Sequence, residues 1–149
     1  MLPRMVTPKY DMIVPSTGKS ITYRPYVVKE EKMLLIAMES QDEKQIENAV
    51  MNIIEECIES PIDINTLTNF DVEFMFVTLR AKSVGEIASF KVFCPEDKVT
   101  LIPVDVDLTK VEVQVDDEHT NKIVLDEERN LGISMNYPNI DTIPLGVDE

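Results

Sequence analysis

Cysteine, histidine, glycine and basic side chains are all scarce in this sequence, and each shortage removes a class of function. The 149 residues contain two cysteines, Cys57 and Cys94, and one histidine, His119. A closed zinc site takes four Cys or His ligands, so three widely separated candidates do not make one. Two thiols are also too few for a secreted disulfide framework; they fit a reducing cytosol and inert packing. The four glycines fall in neither a Gly-x-Gly-x-x-Gly nor a Walker pattern, which leaves nucleotide binding without a phosphate cradle. His119 sits in a polar, acidic turn with no second histidine or cysteine near it in sequence, so no catalytic constellation forms and no enzymatic activity or cofactor is expected. Asp116, Asp117 and Glu118 lack the spaced ligands and glycine of a calcium loop and read as a solvated charge run. No basic stretch followed by an apolar core opens the chain, and no apolar run approaches the ~18 residues that a membrane span needs. Neither a signal peptide nor a membrane segment is expected.

Basic residues number 14 against 28 acidic ones, for a formal net charge of −14. The excess is uneven. From Glu96 onward there are 14 acidic and 4 basic side chains, a net −10, against −4 for everything before. Nucleic-acid binding needs clustered Lys and Arg to meet phosphates, so this surface argues against it.

What is present is an ordinary globular composition, 44% apolar and 28% charged, in a length typical of one domain. The pattern predicts an α+β fold: an N-terminal β-hairpin and helical half over residues 1–87, a small antiparallel β-sheet over 88–138, and a loose tail over 139–149, together one compact domain. Tyr10 to Val14 and Ile21 to Tyr26 read as strands joined by Ser16-Thr17-Gly18-Lys19, and Pro25 excludes a central strand there. Lys29 to Glu39 reads as a helix whose run from Met33 to Met38 should be well buried. Ser40-Gln41-Asp42-Glu43 has capping-box spacing, and after it Ile46, Ala49, Val50, Ile53, Ile54, Cys57 and Ile58 form one stripe at intervals of three and four, ended by Pro61. Beyond Gly85 the period becomes two: Ser89 to Phe93 with Val99 to Val104 as a hairpin, then strands at Val111 to Val115, Lys122 to Leu125 and Leu131 to Tyr137, punctuated by acidic turns at Asp116 to His119 and Asp126 to Arg129. The eight methionines, Met33, Met38, Met51 and Met75 among them, read as core filler, with an adaptable binding surface as the alternative.

The stretch from Asp71 to Glu86 carries the most information. Asn69 as N-cap, Asp71 and Glu73 in the first turn, and Arg80 and Lys82 in the last turn all suit the helix dipole; a strand over Val72 to Val77 is the alternative. Phe74, Met75, Phe76, Val77 and Leu79 make the helix apolar on nearly every side, so they belong to a core or to a face covered by a partner. Arg80 and Lys82 either cap the helix and pair with nearby carboxylates or contact an acidic partner or a partner's backbone carbonyls. Phe74, Phe76, Arg80 and Lys82 are the candidate partner-binding residues.

This stretch resembles the corresponding segment of the baseplate hub assembly proteins of T-even-type, contractile-tailed bacteriophages, in which an Asp-(Val/Ile)-Glu-aromatic run leads into Leu-Arg-Ala-Lys-Ser-Val-Gly-Glu. Pro15-Ser16-Thr17-Gly18-Lys19, Tyr23-Arg24-Pro25-Tyr26, Val28-Lys29-Glu30-Glu31-Lys32, Leu34 to Ser40 and Leu131-Gly132-Ile133 through Tyr137-Pro138 follow the same order, so the resemblance covers roughly Pro8 to Pro138. Members of that family can carry a Cys-x-x-Cys pair where this chain has Cys94-Pro95-Glu96-Asp97, and can continue into a helical region where this sequence stops at Glu149. The Cys94 hairpin is thus expected to keep a zinc-knuckle shape without metal.

The resemblance implies a non-enzymatic late protein, a chaperone or scaffold working in the host cytoplasm to build the baseplate central hub. It would bind other hub or tail proteins, the tape-measure protein among them, through its helical half. The alternative in the same family is a permanent structural subunit of the hub in the mature virion. A remoter one, from a different class, is an acidic DNA mimic that blocks a host protein.

Overall fold

The computed structural model describes residues 7–116, 119–129 and 131–138. The architecture is α+β. A hairpin of β1 (Tyr10–Ile13) and β2 (Ser20–Tyr23) precedes three helices, α1 (Val28–Ser40), α2 (Glu43–Cys57) and α3 (Asn69–Ser83). Two further hairpins follow, β3 (Ile87–Phe93) with β4 (Leu101–Asp107) and β5 (Lys122–Asp126) with β6 (Leu131–Ser134). Each hairpin is its own two-stranded antiparallel sheet.

The first hairpin turns at Gly18, whose φ of +66° is open to a residue without Cβ. Val14 N–H donates to the Lys19 carbonyl at 2.9 Å and closes the turn. Alternation then places Met12, Val14, Ile21 and Tyr23 on one face. That face meets the α2 stripe, where Ala49, Ile53, Ile54 and Cys57 are buried, and the inner side of α3, where Val72, Met75 and Leu79 are fully enclosed. As the chain leaves α2, it pairs with β2: Ile58 bridges Tyr23, Arg24 N–H donates to the Cys57 carbonyl, and Glu59 N–H to the Thr22 carbonyl.

Two buried carboxylates fasten this unit. Asp71 is wholly enclosed and accepts from Ser16 N–H at 2.9 Å, Thr68 N–H at 3.1 Å and the Thr68 hydroxyl at 2.7 Å. It thereby ties the first hairpin's turn to the start of α3. Glu30 accepts from Val27 N–H at 2.9 Å and pairs with Arg24 at 3.1 Å, while Arg24 also donates to the Glu56 carbonyl at the end of α2. Burial on its own would raise the Glu30 pKa; the Val27 N–H and the Arg24 guanidinium outweigh it and hold the carboxyl below its ordinary value. Burial pushes the Cys57 thiol up to about 11, which makes it an inert packing group.

Several local expectations change. The run from Met33 to Met38 is not well buried: only Ala37 is enclosed, Leu34 is half-buried, and Met33, Leu35, Ile36 and Met38 are exposed. α2 covers one side of α1, and the enclosed place near its start goes to the paired Glu30 rather than to an apolar side chain. Ser40 ends α1, its hydroxyl donating to the Ala37 carbonyl, so it cannot cap α2; Asp42 does, accepting from Lys44 N–H at 3.0 Å. Thr68, not Asn69, caps α3, because its hydroxyl and the Asp71 carboxylate form a reciprocal box across the first turn. The strand reading of Val72 to Val77 gives way to helix, and Val111 to Val115 forms no strand, since it finds no ladder partner among the described residues. β6 ends at Ser134 rather than at Tyr137. Asp117, Glu118 and the tail over 139–149 lie outside the described residues.

Candidate partner interface

Around α3, at about 100° per residue, the four candidate side chains separate onto two flanks. Phe74 and Lys82 line a cleft with Thr78, the first hairpin and the returning segment Leu108, Thr109 and Val111. Phe76 lies on the other flank, half-buried against the core, with Arg80 one turn further on. Lys82 is occupied: it pairs with Glu86 at 2.6 Å and sits 5.6 Å from the centre of the Tyr10 ring. The bond to Glu86 raises its pKa. Arg80 is half-buried, and its Nη1 is enclosed with no hydrogen-bond partner among the described residues. An enclosed donor left unpaired is costly, so Arg80 is the candidate most in need of an outside acceptor. Between them, Ala81 is enclosed and Ser83 binds inward, accepting from Tyr26 N–H at 2.9 Å and donating to the Leu79 carbonyl at 2.6 Å. The Arg-Ala-Lys-Ser exit therefore alternates between holding the fold and facing outward.

A larger unsatisfied surface lies beyond α3. No described residue after Ala81 is buried. The hydrogen bonds from Cys94 N–H to the Thr100 carbonyl and from Leu108 N–H to the Glu86 carbonyl bracket β3 and β4. With the register Phe90 to Val104 and Val92 to Ile102, alternation sends Ala88, Phe90 and Val92 of β3 and Ile102, Val104 and Val106 of β4 to one face. That face is entirely apolar. The other is mixed: it carries Ser89 bonded to Asp105 at 2.6 Å, Lys91 and Asp107, together with Ile87, Phe93, Leu101 and Pro103. Phe90, Val92 and Ile102 are exposed on the apolar face. In the second hairpin, Ile123 faces Ile133, and both are exposed, as are Val124, Leu125, Leu131 and Met135. Gly132 suits that position, because a Cβ would lie 3.1 Å from the Ile123 carbonyl oxygen, a tight approach.

The turn joining β3 and β4 is closed by hydrogen bonds to one carboxylate. Asp97 stands three residues after Cys94 and accepts from Val99 N–H and Thr100 N–H, each at 3.0 Å, and from the Thr100 hydroxyl. The Thr100 hydroxyl and these two N–H groups hold its pKa down to about 2. His119 stacks on Tyr137, whose hydroxyl lies 2.6 Å from its Nε2, and Tyr137 meets Phe70 of α3 edge-on at 5.0 Å. Thus the chain returns to α3 at Leu108 to Val111 and at Tyr137, while the hairpin faces remain uncovered. Among the described residues no three His, Cys, Asp or Glu side chains are grouped to hold a metal ion, and no helix is long and apolar enough to cross a membrane.

Residues 7–146 match the family model described as T4 bacteriophage base plate protein. The chain belongs to that family. No curated protein and no solved structure gives a match. Sequence reasoning predicted the hairpin of β3 and β4 but placed the partner face on α3 alone and did not mark the hairpin's apolar face as exposed, although the alternation of Ala88, Phe90 and Val92 with Ser89 and Lys91 was there to find. It also overlooked Asp71 and Glu30 as buried fasteners, which no periodicity reveals.

Proposed function

We propose that this base plate protein is a non-enzymatic assembly factor, a chaperone or scaffold that helps to build the central hub by docking on another hub or tail protein in the infected cell. The tape-measure protein, which would otherwise expose apolar helices, is one such partner. The observation that carries this reading is the contrast between a self-sufficient core and the hairpins after Ala81, which bury nothing of their own. Monomeric proteins rarely leave apolar faces of this kind open unless something binds them.

The same surface favours a second reading, a permanent hub subunit, because lasting interfaces are larger and more apolar than transient ones. Quantitative mass spectrometry separates the two: an assembly factor is present in hub intermediates from infected cells and lost from purified virions, whereas a subunit persists at fixed stoichiometry. Absence from both would reject the proposal. Of the acidic side chains, Asp97, Asp107 and Asp126 are engaged as acceptors within their own turns, which lends the DNA-mimic reading no support.

A further inference from the structure

We infer that β3 is a docking edge that receives an extended, basic segment of a partner protein as an added strand. The inference rests on the assembly reading above and specifies the chemistry of the partner. Cys94 and Thr100 form a hydrogen-bonded pair, as do Glu86 and Leu108. Counting from either end along an unbroken register, the hydrogen-bonded pairs are those of Ala88, Phe90 and Val92, because such pairs alternate with non-bonded ones. The backbone N–H and C=O groups of Ile87, Ser89, Lys91 and Phe93 therefore point away from β4. Among the described residues none of them takes a hydrogen bond.

The outer edge of β4 is different. Its outward positions are Leu101, Pro103, Asp105 and Asp107. Pro103 has no N–H to offer and breaks a ladder on that side, while costing the β3–β4 pairing nothing. One edge is blunted and the other is open, the arrangement that strand addition requires. A strand added to β3 would also widen the apolar face of Phe90, Val92 and Ile102 to three strands and make the hairpin, marginal alone, a stable sheet.

Charge selects the occupant. A second copy of this chain would bring another net charge of −14, and the region from Glu96 onward carries −10. Self-pairing is opposed by repulsion, whereas a segment alternating Lys or Arg with apolar residues is attracted by the net negative charge; it places its apolar side chains beside Phe90 and Val92 and its basic ones on the face that holds Asp105 and Asp107 as well as Lys91.

The test uses the full chain and a blocked peptide alternating lysine with valine, long enough to span β3, titrated while backbone amides are followed by NMR. Binding should perturb Ile87, Ser89, Lys91 and Phe93 most and slow their amide exchange. A peptide N-methylated along one edge, or one with glutamate in place of lysine, should bind at least about fivefold more weakly, the size of one lost hydrogen bond or more. Ser89→Pro removes an outward N–H and no ladder bond, so it should keep the cross-strand contacts of β3 and β4 and lose the peptide. Equal affinity for N-methylated and plain peptides, peptide shifts confined to β4 or α1, or concentration-dependent self-association through β3 would overturn the inference. The N-methylated peptide carries the test even if Ser89→Pro disturbs the hairpin. The chain's recovery from hub intermediates is scored separately: if it is recovered but no strand adds, the edge proposal alone fails, and if it is absent from both intermediates and virions, the assembly reading fails with it.

Discussion

Residues 12–81 and residues 87–135 solve the problem of apolar side chains in opposite ways. In the first stretch Met12, Val14, Ile21, Tyr23, Ile53, Ile54, Val72, Met75 and Leu79 cover one another, and even its carboxylates Asp71 and Glu30 are enclosed with partners. In the second, Phe90, Val92, Ile102, Ile123 and Ile133 are as apolar but exposed, although their strands are well paired. Backbone pairing alone does not make a core; a two-stranded ribbon has to lie against something. The difference teaches that the first stretch supplies its own cover, whereas the second would gain its cover from a partner under the function proposed above.

The contrast breaks most sharply at Ile54, which has no exposed surface. Ile54→Ala should cost about 2–5 kcal/mol in chemical denaturation, as large-to-small changes in enclosed sites do. Asp71→Ala should follow, at about 1–3 kcal/mol, because it leaves Ser16 N–H and the Thr68 donors enclosed without an acceptor. Thermal melts at matched pH check both. A loss below about 0.5 kcal/mol at Ile54 would mean that the core is wrongly placed.

Glu30 gives the comparison a pH signature. Its folded pKa lies below the ordinary carboxylate value of 4.5, so its contribution is fully present above that value. It is lost as pH falls from there through the folded pKa. Glu30→Gln should destabilise the protein by on the order of 1–2 kcal/mol at neutral pH, through the weakened bond to Arg24. It should also flatten the acid limb of the stability profile below about pH 4.5. An unchanged acid limb would show that other groups govern acid unfolding.

Substitutions in the hairpins should behave differently. Val92→Ser with Ile102→Ser removes one cross-strand pair, worth roughly 0.2–1 kcal/mol locally, and should leave the cooperative melt of the isolated protein almost unmoved while reducing hub assembly in complementation. A large drop in the melt would instead mean that the hairpin face is covered within the chain. The smallest effect is expected at Lys82→Ala, which breaks an exposed pair with Glu86, a kind of contact that adds little to stability in water; Arg80→Ala, on the other flank of α3, should weaken hub binding more than it weakens the fold.

Much of this division could be read from the residues. The three-and-four spacing of Ala49, Ile53, Ile54 and Cys57, the turn at Gly18, and the alternation around Phe90 and Ile102 are local signals, and the elements they predict are present. What the residues could not convey is which apolar face meets another. Leu35, Ile36 and Met38 look as buried as Ile53 does, because hydrophobicity is a property of a side chain and burial a property of its neighbours. The run from Val111 to Val115 likewise has strand alternation but finds no partner, and a strand exists only through its ladder. Arg80 and Lys82 share a helix end and a charge, yet one is paired and the other is not, a difference set by Glu86 on the following turn and not by either residue. The matched family is that of a base plate protein; under the function proposed above, its neighbours meet the uncovered side chains.

The most direct test of the central claim is hydrogen–deuterium exchange, comparing the isolated protein with the protein held in hub intermediates. The account predicts slow exchange around Ile53, Ile54, Met75 and Leu79 in both states, and fast exchange over Ile87–Phe93 in the free chain that becomes slow on assembly. Protection of β3 equal to that of α2 in the isolated protein, or fast exchange of β3 that persists in the assembled hub, would contradict it.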